Sequence, residues 1–249
     1  MNRFFSPKSV VCAGFLILAV FLYYYLPAIV YLHQVKADAA RKPELWQIPK
    51  AISQDNRAPI QGKQIRYSSL VFSTPWGEGK IARQGKDVAL LDFGGSRSIL
   101  FLNIGQSPFN FRTLAQQDAN GVTRKLVGER AMNSNFDTER EVLNTDPHDL
   151  YFSLNRTRMI HTCMFVVAKW VYADRGETGI YEFRTDNVRG FQRGNPGKTG
   201  QVILDVYDRS DRLSTMIVST QKNAPTRLSQ AEINTFLASL EVDQSAASQ

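Results

Sequence analysis

Val10 to Leu32 (VVCAGFLILAVFLYYYLPAIVYL) is an unbroken run of 23 residues without a charge. As a helix it would extend about 35 Å at 1.5 Å per residue, enough to cross the hydrocarbon layer of a bilayer. No other segment approaches that length without a charge. The expectation is one membrane-spanning helix followed by a water-facing domain. A cleaved signal peptide is the competing reading, with Arg3 and Lys8 as its basic start and Ala37-Asp38-Ala39 as its processing site. Its apolar run should be only about 7–15 residues, so an uncleaved anchor is favoured. A buried core helix of this length would need a larger protein around it.

Tyr23, Tyr24, Tyr25 and Tyr31 match the aromatic enrichment of membrane interfaces, and Pro27 is tolerated in a membrane helix. Arg3 and Lys8 precede the span; Lys36, Arg41 and Lys42 follow it. The positive-inside rule is therefore nearly balanced. With so short a leading tail, the N-terminus is placed inside and the domain outside the inner (plasma) membrane. Cys12 opens the apolar run, whereas a lipidated cysteine follows one. Cys12 and Cys163 fall in different parts of the chain, so a disulfide between them is not expected.

The formal charge is +7. Removing residues 1–39 takes away Arg3, Lys8, Lys36 and Asp38 and leaves 27 basic against 22 acidic side chains. So mild and mixed an excess reads as a solvated surface, and no nucleic-acid partner is expected. The domain plan is a tail at 1–9, the span at 10–32, a linker at 33–63 punctuated by Pro43, Pro49, Pro59 and Gly62, one domain at 64–242, and a polar tail at 243–249.

Within the domain, 67–72, 88–93 and 98–104 read as strands, the last two as a hairpin around Gly94-Gly95-Ser96-Arg97. Thr138 and Glu141 have capping-box spacing, Asp146-Pro147 starts a turn, and Met159, Ile160, Cys163, Met164, Val167, Trp170 and Val171 form a helical stripe over 155–172. Strands resume at 179–184, 202–207 and 213–219. A last helix opens at Ser229, with Glu232 completing a capping box and Ile233, Phe236, Leu237 and Leu240 on its buried face. The order predicts an α+β fold, an antiparallel sheet layered with helices.

The Phe72-Ser73-Thr74-Pro75-Trp76 strand and turn, the strand meander and the closing helix at 228–240 resemble the PsbP-like α/β/α sandwich. Gly179-Ile180-Tyr181 with Arg189-Gly190-Phe191-Gln192 also resembles uncharacterised bacterial membrane-anchored proteins of that shape. The resemblance spans about 65–242 and carries no catalytic residues across. It implies a binding or assembly accessory.

Catalytic motifs fail on their surroundings. Asp92-Phe93-Gly94 lacks every other kinase element. Gly197-Lys198-Thr199 has Gln192 where a phosphate-binding loop needs glycine. Gly94-Gly95-Ser96 is not followed by the glycine of a nucleophile elbow. His161 and Cys163 lie two apart on a helix and cannot share a metal ion. Glu139 with Glu141, and Asp208 with Asp211, sit among arginines and read as solvated charge. No catalytic residue, metal or cofactor is assigned.

One cluster stays open. Arg184, Arg189, Arg193 and Lys198 surround a Gly-rich stretch and could hold a phosphate or carboxylate; the alternative is a basic loop between strands. Three functions follow. The leading one is a membrane-anchored, non-enzymatic binding or assembly domain, held in the lipid bilayer by Val10–Leu32 and meeting envelope proteins. The second is an enzyme acting on an anionic substrate at Arg184–Lys198, with Glu182, Asp186 or His148 converging on it. The third is a domain whose basic loop touches lipid headgroups.

Overall fold

A computed structural model describes residues 7–42, 46–53, 57–67, 69–85, 88–94, 97–102, 124, 133–173, 179–221 and 224–242. Residues 1–6 of the expected tail at 1–9, the expected tail at 243–249, residues 103–104 of the third strand, and Gly95-Ser96 of the hairpin lie outside them, while residues 7–9 belong to the first helix.

The apolar run belongs to a longer helix, α1 (Pro7–Ala40), which is long and apolar enough to cross a membrane. Phe21, Tyr25, Ala28, Leu32, Val35 and Ala39 alternate spacings of four and three, and the last four are buried. This is the seam of a helix pair. The partner is α3 (Arg156–Ala173), whose Met159, Cys163 and Val166 are buried against α1. The two run parallel: the Tyr25 hydroxyl donates to Leu154 O at 2.7 Å, while Lys42 Nζ lies 4.3 Å from the Trp170 ring. The stretch expected as a linker, 33–63, thus holds the end of α1 and strand β1 (Lys50–Ala51).

Eight strands form the main sheet. After β1 these are β4 (Lys80–Gln84), β5 (Val88–Phe93), β6 (Arg97–Leu102), β7 (Ile180–Arg184), β8 (Arg189–Arg193), β9 (Gln201–Tyr207) and β10 (Leu213–Thr220), in spatial order β1-β7-β8-β9-β10-β6-β5-β4. All neighbours are antiparallel except β1 and β7. A small antiparallel sheet joins β2 (Ile65–Tyr67), β3 (Leu70–Phe72) and β11 (Glu241–Val242). The run 67–72, expected as one strand, is therefore split by a turn that pairs Tyr67 with Leu70.

Side-chain alternation sends the two faces of the main sheet into different cores. Leu91, Ile99, Phe101, Leu204 and Met216 meet Phe72 of the small sheet and Ile233 and Phe236 of α5 (Gln230–Ala238). The Ser229–Glu232 capping box of α5 is present as expected. Glu232 also accepts from Arg97 (3.1 Å) and from the Trp76 indole (2.8 Å), fixing the Pro-Trp turn on this layer. On the opposite face Phe191, Tyr207 and Leu213 pack on Phe136, Val142 and Leu143 of α2 (Asn135–Asn144).

The start of α2 departs from expectation. Ser134, not Thr138, is the N-cap. Asp211, in the left-handed region at φ 62, accepts from the backbone N–H of Asn135 and Phe136 and from Arg189 at 3.2 Å. Its carboxylate meets the positive end of the helix, which favours keeping an acidic residue in that backbone conformation.

Candidate functional site

The four basic residues proposed from the sequence do not form one site. Arg184 and Arg189 face each other in register at the closed end of the β7–β8 hairpin. Arg193 sits four residues along β8, about 13 Å away. Lys198 lies on the short helix α4 (Pro196–Thr199) at the other end. The stretch expected as a basic loop is mostly strand.

Arg193 is a core residue. Its guanidinium donates to Asp205 Oδ2 at 2.8 Å, both side chains are buried, and Thr215 donates to the other carboxylate oxygen at 2.7 Å. A buried, bonded guanidinium of this kind has no access to a ligand.

Arg184 and Arg189 line a shallow depression of about 370 Å³ with Arg209, Asp186 and Asp208. Each arginine is already engaged: Arg184 with Glu182 at 3.1 Å, Arg189 with Asp211 at 3.2 Å, Arg209 with Asp186 O at 3.1 Å. Arg212 pairs with Asp208, also at 3.2 Å. Three of these arginines thus meet carboxylates and Arg209 a backbone carbonyl, so the field they present to an incoming anion is reduced. Of the carboxylates named with this cluster, Glu182 bonds Arg184 and Arg140, and Asp186 lines the depression. His148 is elsewhere, with Asp146 Oδ1 at 2.9 Å and the Trp46 ring edge-on at 4.3 Å.

Lys198 belongs to a larger cleft of about 650 Å³ beside β1, lined also by Trp46, Lys50, Gly179, Tyr181 and Asn195. Asn195 caps α4 by accepting from Gly197 N, and Gly200 closes that helix at φ 67, so backbone geometry fixes where Lys198 projects. Trp46 is held by its indole, which donates to Ala39 O at 3.2 Å. A second hollow, sharing Tyr181 and Asn195, continues past Ser53 to Gln230 and Asn234. Among the described residues that line the main cleft there are two lysines and no carboxylate, histidine or thiol. Such a lining is chemically able to receive an anionic or amide-rich group along an exposed sheet edge.

Compared with known proteins, the chain matches no family model, no curated protein and no solved structure.

The remaining reactive groups are dispersed. Cys163 is buried in the α1–α3 seam, and burial pushes its thiol up to about 11, far from the thiolate a nucleophile needs. Among the described residues no group of three metal-ligating side chains converges. Sequence reasoning missed Lys50 and Trp46, which it assigned to the linker. No local signal marks them, because β1 is defined only by pairing with Tyr181 and Glu182 far along the chain.

Proposed function

We propose that this is a single-pass membrane protein of the inner (plasma) membrane, N-terminus inside, whose α+β domain is a non-enzymatic binding or assembly module. The cleft beside β1 is its recognition site, and an envelope protein offering an acidic, extended segment is the partner. The lining carries this reading: lysines, an asparagine, an exposed strand edge and aromatic walls supply affinity and register. Two buried arginines elsewhere are engaged in structural pairs, Arg193 with Asp205 and Arg97 with Glu232. The resemblance to PsbP-like accessory domains supports the same reading.

The test combines fractionation with crosslinking in intact cells. The chain should stay in the membrane pellet after alkaline carbonate and be cut by external protease beyond about residue 40. A photo-crosslinker replacing Lys198 should give one discrete adduct that is lost on adding Lys50→Glu. Release by carbonate, protection from protease or an adduct indifferent to Lys50→Glu would overturn the reading.

A further inference from the structure

The loop before α3 carries apolar side chains where a soluble domain would carry polar ones. Tyr151, Phe152 and Leu154 are 51%, 46% and 72% exposed. The loop lies alongside the apolar part of α1. Phe152 packs 6.5 Å from the Phe21 ring and 6.1 Å from the Tyr25 ring, and Leu154 O accepts from the Tyr25 hydroxyl. At the same level Tyr23 and Tyr24 of α1 are 88% and 51% exposed. Two separate segments thus place one continuous apolar and aromatic collar around the point where the domain meets the helix.

We propose that this collar is a second membrane contact: Tyr151, Phe152 and Leu154 enter the bilayer interface beside α1, and the hydrocarbon boundary lies at Tyr23–Tyr25. The inference rests on the reading of α1 as the membrane anchor and moves the boundary from Leu32 toward the N-terminus.

Two observations set that level, and from Val10, the start of the uncharged run, to Tyr25 the helix beneath it still rises about 23 Å at 1.5 Å per residue. A boundary at Leu32 would instead submerge the first turns of α3, which run parallel to α1 and carry Arg156, Arg158 and His161. With the boundary at the tyrosines, Arg156 and Arg158 stand near the height of the lipid phosphates. Arg156 already lies 4.8 Å over the Tyr24 ring, an aromatic–cation pairing suited to the interface.

Depth measured on the full chain in vesicles tests this. In a Cys12→Ser background, with buried Cys163 left in place, an environment-sensitive fluorophore is attached to Leu22→Cys, Leu154→Cys or Ile60→Cys. The vesicles are phosphatidylcholine and phosphatidylglycerol with or without brominated chains. The 154 label should be blue-shifted and quenched by brominated lipid nearly as far as the 22 label, while the exposed position 60 stays wet and unquenched. If 22 is quenched and 154 behaves like 60, the collar fails and the anchor stands. If 154 is blue-shifted but unquenched, a protein surface or a second copy covers it, and the inference is overturned. If 22 is unquenched, the anchor reading fails and this one falls with it.

Discussion

Lys169→Met should stabilise the protein at neutral pH, although it replaces a fully buried residue. Lys169 lies on α3 and donates from Nζ to Thr145 O at 2.9 Å. Burial pulls its pKa from 10.5 down to about 8, and the Asp146 carboxylate opposes only part of that. The gap corresponds to about 3 kcal/mol, at 1.36 kcal/mol per pH unit. Below the folded-state value both states hold the proton, so the folded protein bears the whole penalty of burying a charge. Between about 8 and 10.5 the unfolded chain keeps a proton that the folded chain has released, and stability rises with pH. Methionine fills a similar volume without charge but forfeits a hydrogen bond worth about 1 kcal/mol. The net gain at neutral pH is therefore about 2 kcal/mol. Guanidinium unfolding of both full-length chains in mild detergent, followed by tryptophan fluorescence, measures it. The difference between variant and parent should be largest at neutral pH and shrink through zero as pH approaches 10.5. A pH-independent difference, or a variant less stable than its parent at neutral pH, would refute the argument.

Two further outcomes are expected. Arg193→Met should lose about 3–5 kcal/mol in the same unfolding assay by leaving the Asp205 carboxylate buried without its cation, and adding Asp205→Leu should recover most of that loss. In a Cys12→Ser background Ellman's reagent should find no reactive thiol at neutral pH until denaturant is added, because burial holds Cys163 near 11; immediate reaction would place the sulfur at the surface.

The parts of the fold legible in the sequence are those whose stability is local or amphipathic. The α3 stripe, the Ser229 capping box and the β9–β10 hairpin each announce themselves by period or by spacing within a dozen residues. The parts that escaped depend on distant partners. β4 reads KIARQ and is exposed throughout, so it has no apolar alternation to detect. β8 reads RGFQR, and its arginines look like loop charges until Asp205 and Asp211 arrive across the sheet to neutralise them. β3 is paired on its other side by β11, whose Glu241 and Val242 meet Val71 and Leu70 from far along the chain. The basic cluster dissolved for a geometric reason: closeness in sequence becomes distance along an extended strand. Only Lys198 of the four reaches the larger cleft, and the residues opposite it come from the other end of the chain.

On the proposed reading of α1 as the anchor, its unbroken passage from the apolar stretch into the seam with α3 joins domain to bilayer through one continuous helix. A domain on a slack tether samples every azimuth above the membrane. On that reading this one is keyed to its shaft, so the compass bearing of the cleft beside β1 would follow the side that α1 turns to a neighbour in the lipid. Any change of helix rotation within the membrane would turn the cleft by the same angle.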